Sequence, residues 1–299
     1  MRFKPAFKLL VPLLLIIRGL DAQQKSPVAI VPIVRGLDAT LGGTTSQMGA
    51  GAGLQFVSKY VNLNGSYSLL SLYMDGTESD AKDADLPKPT NEISGASILE
   101  GGIQLNPISW ETELAFDIVD RVVEGVFGTT ITTTTYYHIE NYPSRVFIGL
   151  RGGYYRWQSP LSSTMKDIND PLIAANGAVL NGTSPITKYN YTYTNMKSTS
   201  LYAGVAYSYF VYRWNRYQTW FFDYFLSPKT DIDPVILAGV PFDITGPGSK
   251  GFPVRQNGWR FGVDIFVDGV TAHFEGGVRP GSYGGYFFTG LGFALPQWF

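Results

Sequence analysis

The chain has 299 residues, a net charge of −1 and only 16% charged residues, against roughly 25% in an average soluble domain. There is no basic excess and no Lys/Arg cluster, which argues against a nucleic-acid partner. Cysteine is absent, which removes disulfides, thiolate metal ligands, a cysteine nucleophile and a lipidated cysteine anchor.

The first 22 residues read as a secretory signal peptide. Arg2, Lys4 and Lys8 precede an apolar run over 9–17, and Ala22 stands before the expected cleavage point. That run is too short for a helical span, which needs about 20 apolar residues. No later segment is a helical span either, so a mature chain in a membrane must be a closed barrel, with no unpaired backbone in lipid.

Residues 23–299 carry period-2 alternation, and twelve segments read as strands. They lie near 28–38, 47–57, 60–74, 93–105, 109–121, 129–138, 144–157, 197–212, 216–226, 256–267, 270–279 and 283–299. Ten or fourteen strands also fit, because 28–38 is apolar on both faces and 129–138 is mostly threonine. The connections after even strands are short: 58–59, 106–108, 139–143, 213–215 and 268–269. The last is Asp-Gly, a tight-hairpin dipeptide. The three longest, 75–92, 158–196 and 227–255, follow odd strands. The expected fold is therefore all-β, a transmembrane antiparallel up-and-down barrel with long extracellular loops and short periplasmic turns. A soluble secreted β-sandwich is the architectural alternative, since it shares the aromatic and glycine enrichment.

Charges fall on one face of the better-defined strands. In 256–267, Trp259, Phe261, Val263 and Ile265 oppose Arg260 and Asp264; in 270–279, Ala272, Phe274 and Val278 oppose His273, Glu275 and Arg279. In 144–157, Val146, Ile148 and Leu150 oppose Arg145 and Arg151, and in 109–121, Leu114, Phe116 and Ile118 oppose Glu111, Glu113 and Asp117. With Glu100, these charges form the expected lumen lining, because an Arg or Lys at the lipid midplane costs about 2–4 kcal/mol. Paired charges and the inward Tyr202, Tyr212, Tyr286 and Phe288 favour a narrow or occluded lumen.

The final strand ends on Phe299, with Leu295, Phe293 and Leu291 on the same parity. An apolar face closing on a terminal aromatic residue resembles the insertion signal of Gram-negative outer-membrane β-barrels. Cleavage after Ala22, leaving Gln23 first, resembles exported proteins of the Bacteroidetes type. The resemblance is one of architecture. It implies location in the outer membrane, contact with its lipid and use of the barrel-assembly machinery for insertion.

Candidate chemistry is sparse. His273 lies among Thr271, Glu275, Arg260 and Asp264 with no serine on its strand, so a polar-network histidine outweighs a Ser-His catalytic pair. His138 beside Glu140 reads as a turn residue. The acidic residues in 75–85 lack the spacing of a calcium loop. The run 49–53, Gly-Ala-Gly-Ala-Gly, has no following Lys-Ser/Thr and reads as a strand whose walls pack closely. No catalytic residue, metal or cofactor is assigned. The expected role is a passive, porin-like channel or a non-catalytic membrane component. A partner-bound subunit of an envelope secretion or surface assembly is the alternative, with a lipid- or glycan-modifying enzyme behind it.

Overall fold

The structure is a computed structural model. It describes residues 29–42, 46–74, 94–127, 130–164, 172–173, 179–180, 190–212, 216–237, 239–242, 254–281, 285–294 and 297–298. The signal-peptide segment, the acidic run 75–85, Leu295 and Phe299 lie outside the described residues.

The strands in chain order are β1 (Ala29–Gly42), β2 (Ser46–Val57), β3 (Val61–Met74), β4 (Ala96–Phe127), β5 (Thr130–Thr164), β6 (Leu172–Ile173), β7 (Val179–Leu180), β8 (Asn190–Val211), β9 (Arg216–Ile232), β10 (Val235–Leu237), β11 (Val240–Phe242), β12 (Asn257–Val267), β13 (Val270–Val278), β14 (Tyr286–Ala294) and β15 (Gln297–Trp298). Ten of them, β1–β5, β8, β9 and β12–β14, form one antiparallel sheet that closes where β1 pairs with β14. The two-residue β15 extends that seam along β1. The pairs β6–β7 and β10–β11 are small separate ribbons in the long connections.

Ten strands replace the expected twelve for one reason. Asn106-Pro107 reads as a turn in sequence, and so does the Asn141–Pro143 region, yet both lie inside continuous strands. The backbone passes 106–107 as a register shift between Leu105 and Ile108. Proline is tolerated there because β3 stops at Val61, opposite Leu105, so the edge beyond it is free of a ladder partner. The segments 93–105 and 109–121 thus belong to β4, and 129–138 and 144–157 to β5. The expected turns at 106–108 and 139–143 do not form.

The two ends of the barrel differ. One end carries the turns after β2, β8 and β12, together with the start of β1 and the end of β14. The turn after β12 places Asp268 at φ 48° and Gly269 at φ 85°, the doubly positive pair that a two-residue hairpin requires. The other end carries the connections 75–95, 165–189 and 233–256. The β4–β5 hairpin leaves the barrel at the short-turn end. Beyond Glu113 and before Ser144 the two strands pair, among the described residues, only with each other, for about 14 residues each, a ribbon about 50 Å long.

The outward face is apolar around the sheet. One register row runs Leu105, Leu150, Val205, Phe222 and Phe261, each between 46% and 57% exposed. Tyr207 and Trp220 flank this row toward the short turns, and Tyr224 and Trp259 toward the long loops. Leu291 and Phe293 of β14 also face outward, at 42% and 72% exposure. The inward face is polar and charged, so the usual order of a globular core is reversed.

Candidate functional site

Inward side chains fill the barrel in layers. At the short-turn end Ala29, Val31, Val57, Phe147, Phe210, Tyr217, Phe266 and Ala294 form an apolar plug, with Ile33 and Tyr212 packed against it. An amide and hydroxyl layer follows. Asn62 donates to the Tyr217 hydroxyl at 2.8 Å, Gln104 donates to Ser208 at 3.1 Å, and Ser208 and Thr219 are bonded at 2.9 Å. Near the long loops Ser198, Ser227 and Thr230 bond one another, and Trp157 Nε1 donates to the Pro280 carbonyl at 3.1 Å.

Between these layers sits a charge network centred on Arg260, which is 0% exposed. Its Nε meets Asp223 Oδ2 at 2.9 Å, Nη1 meets Glu100 Oε2 and Glu275 Oε2 at 2.9 Å each, and Nη2 meets Glu100 Oε1 at 2.6 Å. One guanidinium thus ties β12 to β9, β4 and β13. Its face is sheathed by Tyr202, Phe221, Phe225 and Tyr155, with ring centroids 4.9–5.4 Å from the guanidinium carbon. Arg151 lies 3.3 Å from Asp223 and 3.9 Å from the Phe221 centroid. Arg279 lies 3.5 Å from Glu275 and 3.7 Å from the Tyr286 centroid. Tyr202 and Tyr286 donate to Glu100 and Glu275 at 3.1 and 3.0 Å.

Glycines on facing strands make room for these large groups. A Cβ on Gly102 would overlap the Tyr202 hydroxyl, and one on Gly51 would overlap the Asp38 carboxylate. The glycines of the 49–53 run alternate with outward alanines, so this run is a close-packed wall.

Two further inward charges, Arg35 and Asp38, form their own pair at 2.9 Å, and Arg35 also donates to Ser68 at 3.0 Å. Both face inward only because the β1 register shifts between Arg35 and Leu37. Without that bulge Asp38 would take the opposite parity to Arg35, which is why 28–38 looks apolar on both faces in sequence. Sequence reasoning missed Arg35, Asp38 and Asp223. For Asp223 the signal was present: it shares parity with Phe221 and Phe225, against the outward Trp220, Phe222 and Tyr224.

Of the expected lumen residues, the structure brings together Glu100, Arg151, Arg260, Asp264, His273, Glu275 and Arg279 inside the barrel. Glu111, Glu113 and Arg145 stand instead at the short-turn mouth, at the foot of the ribbon. There Arg145 is buried and donates to Glu111 at 2.6 Å, while the Glu111 side chain is 70% exposed and Glu113 faces solvent. They are not part of the lumen lining because β4 has left the barrel wall by that point. Asp117 lies further along the ribbon, and its side chain is outside the described residues.

His273 turns Nδ1 to Asp264 at 2.6 Å and Nε2 to Glu275 at 3.5 Å, and its ring stacks on Phe221. Both imidazole nitrogens are committed to carboxylates, so neither is aimed at a hydroxyl nucleophile. Among the described residues the interior holds five carboxylates (Asp38, Glu100, Asp223, Asp264, Glu275) and four guanidiniums (Arg35, Arg151, Arg260, Arg279). A protonated His273 would balance that count. Beside the network lies a cavity of about 60 Å3, lined in part by Arg35, Asn64, Tyr155, Asp264 and His273. The Tyr155 hydroxyl has no hydrogen-bond partner among the described residues. Such a cavity suits one or two waters, each of which occupies about 30 Å3 in the liquid. Among the described residues no group of three or more His, Asp or Glu is placed to hold a metal ion.

Comparison with protein-family models and with curated proteins returns no match. The functional reading therefore rests on the geometry of the barrel and its ribbon.

Proposed function

We propose that the chain is an outer-membrane β-barrel with a sealed interior, a non-catalytic membrane component and not an open porin. The outward apolar rows support the membrane reading, because their exposure to water would be unfavourable around the whole circumference. The filled interior carries the choice between channel and component. Among the described residues a network joins β4, β9, β12 and β13 across the lumen, with a cavity of about 60 Å3 beside it, and an apolar plug closes the short-turn end. Export through the signal peptide and insertion by the barrel-assembly machinery follow from that location. The short-turn end then faces the periplasm, as it does in outer-membrane barrels generally.

The test is electrical. Purified protein in a planar bilayer should pass no discrete current steps over a range of salt concentrations, while retaining heat-modifiable gel migration. Stable single-channel steps would reinstate the porin reading. Recovery in the soluble fraction after carbonate extraction of the envelope would overturn the membrane reading itself.

A partner-bound subunit of an envelope assembly is the second reading, and the β4–β5 ribbon favours it. A two-stranded ribbon standing alone in water is marginally stable at best, so one about 50 Å long points to something that covers it.

A further inference from the structure

We infer that the edge of β5 over 130–139, which pairs with no strand but β4 among the described residues, takes an added β-strand from a separate periplasmic polypeptide. This rests on the reading that the short-turn end faces the periplasm.

The two outer edges of the ribbon differ in composition. The β4 edge carries Glu113, Asp117, Asp120, Arg121 and Glu124, and its register breaks between Val119 and Arg121. Charges and a bulge are the usual guards against strand addition. Over 130–139 the β5 edge runs Thr130, Ile131, four threonines, Tyr136, Tyr137, His138 and Ile139, with no Asp, Glu, Lys or Arg, no proline and no glycine, and Glu140 follows. High β-propensity without charge or proline is the composition that accepts another strand. The last β8 pairing on this edge is Ser144 with Val211, and Pro143, lacking an N–H, follows it immediately.

Continuity fixes where the new strand lies. β8 occupies this same edge of β5 from Ser144 upward, running antiparallel. An added strand continues the position of β8 below the barrel, about 4.8 Å from β5. A second copy of this chain does not fit there. Two copies in one membrane share an orientation, so their β5 strands would lie parallel. The intruding β5 would then rise into its own barrel through the space that β8 holds. The occupant is therefore an extended segment that belongs to no barrel at that position.

The upper end of the site has its own chemistry. A groove of about 580 Å3 at the foot of the ribbon is lined by Glu111, Glu113, Pro143, Ser144 and Tyr212. Glu113 is exposed there, so a Lys or Arg on the arriving segment meets an acidic wall.

Hydrogen–deuterium exchange tests the inference without knowing the partner. Peptides covering 130–139 are compared in purified detergent micelles, in phosphatidylethanolamine/phosphatidylglycerol vesicles and in native envelopes. Free-edge amides should exchange at least about tenfold more slowly in native envelopes than in the other two states. Thr133→Lys with Thr135→Lys should remove that extra protection while leaving the barrel strands protected. Equal exchange in all three states would overturn the inference and leave the barrel reading intact. Protection that appears in lipid vesicles alone would assign the edge to the membrane surface, and protection already present in micelles would assign it to self-association; either overturns it. Absence of the protein from the membrane fraction would instead remove the reading beneath.

Discussion

Arg260 touches carboxylates from three other strands, and the energetics of buried ions make it the most sensitive residue in the barrel. Arg260→Leu removes the one cation that bridges Glu100, Asp223 and Glu275 and leaves them only the longer contacts from Arg151 and Arg279, and loss of one partner from a buried ion pair costs about 3–5 kcal/mol. The urea midpoint in lipid vesicles, followed by tryptophan fluorescence, should fall accordingly. Arg260→Lys should recover only part of it, since one ammonium lacks the planar fork that reaches Asp223, Glu100 and Glu275 together. Glycine positions give a sharper contrast. Gly102→Ala drives a Cβ into the Tyr202 hydroxyl and should cost about 1–3 kcal/mol. At the neighbouring Gly101 an added methyl would meet no atom within 4 Å, so Gly101→Ala should be nearly silent in the same assay. Tyr202→Phe removes the colliding oxygen, so in the double variant the cost of Gly102→Ala should shrink. Residue parity made much of the interior legible in sequence: Arg260, Asp264, His273, Glu275 and Arg279 lie on two regular strands. Asp38 was not legible, because a one-residue bulge reverses parity and leaves no compositional mark beyond Gly36.

The strands follow the same logic one scale up. Val205 sits in the outward row between Leu150 and Phe222. If that row meets lipid, Val205→Arg should cost about 2–4 kcal/mol and lower the fraction that reaches the heat-modifiable form. An arginine there would be harmless on a water-facing sheet, so the same variant tests the membrane reading. The ribbon predicts the opposite outcome. Replacing 116–140 by Asn-Gly joins Ala115 to Asn141, which are already cross-strand partners, through a favoured two-residue turn. Barrel stability should then stay within about 0.5 kcal/mol of the parent, as for changes outside the packed core. The hairpin itself was not legible in sequence. Asn106-Pro107 and Asn141–Pro143 are genuine turn signals locally. What cancels them is the early end of β3 at Val61 and of β8 at Val211, events on other strands that no window around the prolines contains.

The molecule as a whole is braced across its width as well as around its wall. Arg260 to Glu100, Asn62 to Tyr217 and Trp157 to Pro280 each join segments more than 100 residues apart. Such braces bind opposite walls into one cooperative unit. Unfolding in urea should therefore give a single transition that coincides by tryptophan fluorescence and by gel migration, with no stable half-open barrel. The seam between β1 and β14 has a consequence for how the protein is made. The first strand finds its second neighbour only when β14 has been synthesised, so a nascent chain carries an open edge until then. A chain that stops before β14 would have two sticky borders and no way to close them. Closure thus doubles as a quality check, separating chains that contain β14 from those left to chaperones and proteases.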